Sequence, residues 1–179
     1  MKNLVIGQSG GPTAVINASP YGAVKAFRES GADGHVLGMI NGIEGFLADH
    51  VMDLSTDLSD KELELLKLTP AAYLGSCRYK LPEDLSDPVY PELFQKFTEK
   101  EISYFFYIGG NDSMDTVSKL SRYAATVGSD IRIIGVPKTI DNDLVLTDHT
   151  PGYGSAAKYV ASTAVSYTHL RAHETSLHL

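Results

Sequence analysis

The sequence has little cysteine, no long hydrophobic run and no excess of positive charge, and each deficit excludes a class of protein. A single cysteine, Cys77, excludes an internal disulfide and is typical of a protein of the reducing cytoplasm. No apolar run approaches the ~20 residues that a membrane-spanning helix requires. The formal net charge of −7 argues against nucleic acid as the main partner, because a phosphate backbone binds to a basic surface. Small phosphorylated ligands remain compatible with this charge, since they need only a few local donors and often a divalent cation.

Short apolar runs alternate with segments of helical periodicity along the 179 residues. The strand-like runs are residues 3–7, 34–40, 102–108 and 131–136, and we interpret the last two as buried strands. The helical patterns are residues 14–29, 58–68, 90–100, 112–127 and 156–165. This alternation predicts an α/β fold with a doubly wound, Rossmann-like and mostly parallel sheet. We also expect a kink or interruption at Pro20, and a loop through Asn41, Gly42 and Gly45.

Two polar clusters follow predicted strands. The run that ends at Ile108 leads into Gly109-Gly110-Asn111-Asp112-Ser113, where a helical pattern begins. The run that ends at Val136 leads into Pro137-Lys138-Thr139-Ile140-Asp141-Asn142-Asp143. In open α/β sheets, ligands bind beyond the carboxyl ends of the strands. The two clusters therefore predict one site that handles phosphate and a metal ion.

Two further segments carry groups that bind anions. Gly10-Gly11 follows the first predicted strand and precedes a helix, so backbone N–H groups could hold a phosphate there. The alternative is a plain turn, since the segment is neither a P-loop nor a G-x-G-x-x-G fingerprint. Arg78 could clamp a phosphate in bidentate fashion, or be an ordinary surface arginine. We interpret Cys77 as a packed small residue, because no histidine is near it in the sequence.

Taken together, four motifs resemble the phosphofructokinase family, from about Leu4 to Val165. They are Gly10-Gly11, Gly75-Ser76-Cys77-Arg78, Gly109-Gly110-Asn111-Asp112-Ser113 and Thr139-Ile140-Asp141-Asn142-Asp143. The resemblance implies the N-terminal, phosphoryl-donor-binding domain of a phosphofructokinase over residues 1–165. It also implies a cytoplasmic, Mg²⁺-using phosphotransferase of glycolysis that acts on fructose 6-phosphate and is a homo-oligomer when full length.

Asp112 and Lys138 bear on the phosphoryl donor. The ATP-using members of the family have glycine where this chain has Asp112, and commonly glycine where it has Lys138. Members that use pyrophosphate have Asp and Lys there, so the chain most resembles that branch. A carboxylate at Asp112 would occupy and repel the space of an α-phosphate, and the Lys138 ammonium would offset charge on the transferred group.

The resemblance also assigns roles to the remaining site residues. Asp141 would be the general base toward the sugar 1-hydroxyl, and the Thr139-Ile140-Asp141 segment would contact the sugar. Gly10 and Gly11 would bind pyrophosphate through backbone N–H groups, and Arg78 would neutralise charge. Asn111 and Asp143 would serve the metal, or Asp143 would hold the loop, although many relatives have Asp where this chain has Asn111. Without the resemblance, Asp141 and Asp143 are interpreted as helix-capping carboxylates of a polar turn.

Three alternatives follow from the same residues. The chain could be an ATP-dependent 6-phosphofructokinase, a non-catalytic phosphate-binding domain, or an inactive fragment. Residues 166–179 hold three of the six histidines, and His169 and His173 could be a metal-binding pair. The segment is, however, similar to a translated sequencing-adaptor read-through. We therefore expect residues 166–179 to be foreign to the protein and the chain to be the front part of a longer one.

Overall fold

The computed structural model describes residues 2–13, 16–143, 145–150 and 152–174, and for residues 170–174 it describes the backbone only. It separates into two compact units, residues 1–138 and residues 139–179. The elements of the first unit are β1 (Asn3–Gln8), α1 (Ala18–Glu29), β2 (Val36–Met39), α2 (Gly42–Leu47), β3 (Val51–Asp53), α3 (Asp60–Leu66), α4 (Val89–Glu99), β4 (Ile102–Gly109), α5 (Asn111–Val127) and β5 (Arg132–Pro137). The second unit contains α6 (Tyr153–Glu174).

The five strands form one sheet in the order β3-β2-β1-β4-β5. The pairs β1–β2, β1–β4 and β4–β5 are parallel, and only the short β3 runs antiparallel, against β2. This confirms the predicted mostly parallel α/β sheet. The chain winds from β1 toward β2 on one side, and β4 returns to the other side of β1. The strand order therefore reverses between β1 and β4, which makes their carboxyl ends a topological switch point.

Two hydrophobic clusters cover the two faces of the sheet. Along β1, Val5 belongs to one cluster, whereas Leu4 and Ile6 belong to the other, as the strand period of two requires. Helices α2, α4 and α5 contribute to the cluster of Val5, and α1 and α3 contribute to the cluster of Ile6. The sheet is thus doubly wound, as predicted. β4 pairs on both edges and is largely buried, which confirms the prediction of a central strand.

The predicted loop after β2 is wrong, because Gly42–Leu47 is the short helix α2. Ile43 and Phe46 are fully buried from this helix, so the apolar burial outweighs the low helix propensity of its two glycines. Gly42 itself has a φ of +61°, and a Cβ there would lie 2.7 Å from the Cys77 sulfur. Only glycine fits this close approach, which is why a turn residue begins a helix here.

Three further expectations change with the structure. Among the residues that the structure describes, β5 pairs only with β4, so it is an edge strand rather than a buried one, and Ile134 on it is 43% exposed. Helix α1 begins at Ala18, several residues after the glycine turn, so its N-terminus does not adjoin that turn. Pro20 consequently lies in the first turn of α1, where its missing N–H removes no helix hydrogen bond and no kink is needed.

Helix α6 runs from Tyr153 to Glu174, well beyond the predicted end at residue 165. Residues 175–179 lie outside the described part of the chain, as does the side chain of His173, so the structure does not bear on the histidine-pair interpretation. In the part of the chain that the structure describes, no helix combines the length and the apolar character needed to cross a membrane.

Candidate active site at the switch point of the sheet

The carboxyl ends of β1 and β4 lie side by side, and each is followed by a glycine turn. Gln8 pairs with Ile108 at the end of the two strands, and the Ser9 N–H donates to the Ile108 carbonyl at 2.8 Å. A Cβ on Gly109 would lie 1.9 Å from the Ser113 hydroxyl oxygen and 2.4 Å from the Ser113 Cβ. Glycine at position 109 therefore lets the first turn of α5 fold back against the strand end, so the helix begins directly at the switch point.

The loop that carries Arg78 is attached to the glycine turn after β1. The Gly10 N–H donates to the Cys77 carbonyl at 3.3 Å, and the Ser76 hydroxyl donates to the Gly10 carbonyl at 2.5 Å. The structure thus brings together two motifs that are more than sixty residues apart in sequence. Gly11 is exposed, and a Cβ there would meet nothing within 4 Å, so the space beside this turn is open.

Lys138 ties the end of β5 to both glycine turns. Its backbone N–H donates to the Gly109 carbonyl at 2.8 Å, and its ammonium donates to the Gly11 carbonyl. The half-buried side chain thereby places a positive charge beside the open turn at Gly11. Lys138, Gly10, Gly11 and Asp112 all belong to the unit of residues 1–138.

Asp112 lies in the first turn of α5 and forms an ion pair with Lys80. The Lys80 Nζ is 3.1 Å from the Asp112 Oδ1, and the two side chains are 72% and 75% exposed. Arg78, two residues before Lys80, is exposed and makes no hydrogen bond or ion pair with the described residues. Its guanidinium is therefore accessible to an anionic ligand.

A buried lysine on α5 supports the loop after Lys80. Lys119 is 4% exposed, and its ammonium donates to the Leu81 carbonyl at 3.0 Å. It also contacts carboxylate oxygens of Asp115 and Glu83, each at 2.6 Å. These two hydrogen-bonded carboxylates raise the pKa of Lys119, so the buried ammonium keeps its charge. Sequence reasoning missed Lys80 and Lys119 as parts of the site, and the only local signal was a second cation two residues after Arg78.

Beneath the glycine turn, Cys77 is buried, in agreement with its interpretation as a packed residue. Its sulfur lies 3.7 Å from the hydroxyl of Tyr107. Burial raises the pKa of that hydroxyl far above its usual value, so Tyr107 is a neutral side chain of the core.

The segment with Asp141 belongs to the second unit, which is organised by local hydrogen bonds. The Asp141 N–H donates to the Thr139 hydroxyl at 3.1 Å, and the Thr150 N–H donates to the Asn142 side-chain oxygen at 2.7 Å. Asp141 and Asp143 are exposed. Asn142 has a φ of +59°, a conformation that asparagine tolerates better than most residues.

Side-chain oxygens of the kind that bind hard metal ions are exposed in each of the two units. Asn111 and Asp112 begin α5 with exposed side chains, and Asp143 is exposed in the second unit. Within the described ranges, no group of three or more His, Cys, Asp or Glu side chains could hold a metal ion. Such a group is what a structural zinc site would need, whereas Mg²⁺ is commonly bound through one or two carboxylates together with substrate phosphates.

A doubly wound sheet with glycine turns, exposed cations and a helix start at its switch point defines a class, the α/β proteins that bind anionic ligands at this edge. The sequence model described as Phosphofructokinase matches residues 3–176, and the chain belongs to the phosphofructokinase family. The curated relatives in Halomonas elongata and Rhodospirillum rubrum are both named pyrophosphate–fructose 6-phosphate 1-phosphotransferase. They are 44% identical over 165 residues and 47% identical over 158 residues, respectively.

A solved structure agrees with this assignment. The pyrophosphate-dependent phosphofructokinase from Nitrosospira multiformis superposes with a TM-score of 0.80 at 44% identity and covers 93% of this chain. The alignments cover 91% and 88% of this chain for the Halomonas and Rhodospirillum relatives. This chain in turn spans 39% and 38% of those two relatives and 41% of the solved structure.

Proposed function

We propose that this chain provides the donor-binding part of a pyrophosphate-dependent phosphofructokinase. The reaction moves a phosphoryl group from pyrophosphate to the 1-hydroxyl of fructose 6-phosphate and gives fructose 1,6-bisphosphate and phosphate. The observation that carries the proposal is the pair of charged residues at the switch point. Asp112 lies in the first turn of α5, and the Lys138 ammonium lies on the carbonyl of Gly11.

Pyrophosphate is a compact and highly charged donor, which suits this edge of the sheet. Gly11 offers an exposed backbone beside open space, and Arg78 offers an accessible guanidinium. Lys138 adds an ammonium at the same turn. Phosphoryl transfer needs mainly positioning and electrostatic stabilisation, and these groups supply both. The Asp112 carboxylate takes up space that the α-phosphate of a nucleotide would need, and so selects the shorter donor.

The chemical step is assigned to the Asp141 segment. Asp141 accepts the proton of the sugar 1-hydroxyl as that oxygen attacks the terminal phosphorus of pyrophosphate, and the other phosphate leaves with the bridging oxygen. Thr139 donates a hydrogen bond to the sugar, and Ile140 places its backbone beside it. The exposure of Asp141 and its short local turn with Thr139 leave the carboxylate accessible for this role.

Mg²⁺ is the cofactor we propose. The side-chain oxygens of Asn111 and Asp143 are hard ligands, and their exposure suits an ion that shares its shell with substrate phosphates. Bound there, the ion would offset the negative charge of the phosphates. Asn111 contributes a neutral oxygen, so the carboxylate of Asp143 would supply the negative charge that complements the ion.

The remaining proposals concern the whole protein. We assign residues 1–165 to the donor-binding domain of a longer homo-oligomeric enzyme and residues 166–179 to a foreign tail. The single cysteine and the small anionic substrates fit a cytoplasmic enzyme. The second candidate is an inactive or merely phosphate-binding fragment. It applies to the 179-residue chain by itself, because this chain spans 39% of the length of its Halomonas relative.

A coupled assay with fructose 6-phosphate and Mg²⁺ tests the donor, with pyrophosphate in one sample and ATP in the other. It uses the full-length gene product, in which residues 1–165 have their natural continuation, and the 179-residue chain in parallel. We expect turnover with pyrophosphate only. Turnover with ATP only would agree with the family but overturn the assignment of pyrophosphate as the donor. No turnover in either sample would favour the phosphate-binding candidate.

The double variant D112G/K138G tests the physical basis of donor choice. If the Asp112 carboxylate excludes nucleotides by its volume and charge, ATP turnover should appear in this variant. Unchanged rejection of ATP would mean that other residues select the donor.

A further inference from the structure

We propose that Lys80 determines donor specificity together with Asp112, by offsetting the charge of the carboxylate without removing its volume. This inference rests on the proposed function and deepens it. Asp112 has to exclude a nucleotide, yet the accepted donor is itself a polyanion that a lone carboxylate repels. The Lys80 ammonium, 3.1 Å from the Asp112 carboxylate, makes the pair neutral as a whole.

The ion pair has features of a site rather than of a stabilising contact. Both side chains are about three quarters exposed, and pairs of this kind contribute little to folding. Lys67 and Glu64 are also exposed and paired, but they are only three residues apart, at the C-terminal end of α3. Lys80 and Asp112 instead come from two separate segments that meet at the switch point.

The backbone on either side of Lys80 is fixed by packing. Leu81 is buried in the core cluster below β4, and Tyr79 packs against the same cluster. The Leu81 carbonyl accepts from the buried Lys119 ammonium, and the Pro82 carbonyl accepts from the Tyr90 hydroxyl. The Lys80 side chain therefore projects from an anchored backbone toward the first turn of α5, although its own atoms are in solvent.

The charges at this edge show what Lys80 contributes. Without it, the Asp112 carboxylate faces the donor with a full negative charge. With it, Asp112 and Lys80 cancel, and the positive charges of Arg78 and Lys138 act on pyrophosphate without opposition from this carboxylate. Loss of Lys80 should therefore weaken donor binding more than it slows the chemical step.

The test compares K80M, D112N and K80M/D112N in the full-length enzyme, with K67M as the matched control for loss of an exposed pair. The readouts are the KM for pyrophosphate, kcat, the Tm, and pyrophosphate binding by titration calorimetry without sugar. We expect K80M to raise the KM and Kd for pyrophosphate about tenfold, with kcat within about twofold and an unchanged Tm. K67M should leave all four values unchanged.

The double variant separates charge compensation from direct contact. Because Asn at position 112 keeps the volume without the charge, K80M/D112N should return the KM and Kd to within about twofold of the wild type. A double variant as weak as K80M would mean that Lys80 acts on pyrophosphate by itself and would overturn the proposal. The proposal would also be overturned if the wild type uses pyrophosphate and K80M has the same KM and Kd for pyrophosphate. A wild type that neither binds nor turns over pyrophosphate would overturn the proposed function as well.

Discussion

Residues 1–138 and residues 139–179 hold their side chains in different ways. In the first unit, two buried clusters enclose the sheet, and the groups at the switch point are attached to that core. In the second unit, Thr150 is the only buried residue among those whose side chains the structure describes. The side chains of Tyr159 and Val160 on α6 are 72% and 64% exposed. The backbone that carries Lys80, Asp112 and Lys138 is thus positioned by packing, whereas the Asp141 segment is shaped by short-range hydrogen bonds.

The difference has a functional meaning. In the function we propose, a phosphoryl donor would have to be held at fixed points, and the anchored turns at Gly11 and Lys138 would provide them. In the function we propose, a general base would have to meet the sugar hydroxyl, and Asp141 is an exposed, locally held carboxylate. Changes in the first unit should therefore affect folding and donor binding, and changes in the second should affect turnover with little effect on the fold.

The largest expected effect is on turnover, from D141A in the full-length enzyme. Removing the general base should lower kcat by roughly 10²–10⁴-fold. The Tm should change little, because the Asp141 side chain is exposed and its removal leaves no cavity in the core. The coupled pyrophosphate assay and a thermal melt measure the two quantities. D148A, which removes another exposed carboxylate of the same unit, is the control. Near-normal turnover of D141A would remove its catalytic role.

The next effect is on stability, and it compares the two units directly. Phe105 is fully buried on β4, with its ring centroid 5.5 Å from that of Phe97. F105A should lower the free energy of unfolding by about 3–5 kcal/mol. Y159A on α6 should stay within about 0.5 kcal/mol of the parent, because its side chain is largely exposed. Urea unfolding of the 179-residue chain and its two variants measures both losses, and equal losses would contradict the contrast between the units.

A smaller effect is expected at the contact of β4 with α5. In G109A the new methyl group would overlap Ser113, so the first turn of α5 has to shift. We expect a loss of about 1–3 kcal/mol in the free energy of unfolding. Because Asp112 lies on the shifted turn, the KM for pyrophosphate should also rise. G22A, on the exposed side of α1 where nothing lies within 4 Å of an added Cβ and the backbone has no positive φ, controls for loss of a glycine. An unchanged KM for pyrophosphate would show that donor binding does not depend on the position of this turn.

Many of the strands and helices were predictable, because the spacing of apolar residues along the sequence indicates the period of each element. β1, β4, α4 and α5 lie close to their predicted positions. Predictions made from glycine, asparagine and proline alone were wrong at α2 and at Pro20. A turn residue can begin a helix when neighbouring side chains are buried, as Ile43 and Phe46 are, and a proline is harmless in a first turn.

Some residues of the candidate site were predictable from the sequence and others were not. Asp112, Lys138 and Arg78 were predicted from motifs, and the structure places all three beside the ends of β1, β4 and β5. Lys80 and Lys119 were not predicted, since a second cation near Arg78 is a weak signal for Lys80 and no local pattern distinguishes Lys119 from a surface lysine. Their partners, Asp112 and the Leu81 carbonyl, are distant in sequence. The edge position of β5 was equally hidden, because an apolar run does not reveal on how many sides a strand is paired.

By itself, the amino-acid sequence determined the fold class, the elements at the switch point and the motifs of the phosphofructokinase family. These depend on local periodicity and on short runs of residue types. Only the tertiary structure decided which glycine turn adjoins a helix start, which lysine pairs with Asp112 and which lysine is buried beneath the Arg78 loop. Those facts depend on contacts between segments far apart in the chain, and such contacts form only when the sheet brings the strand ends together.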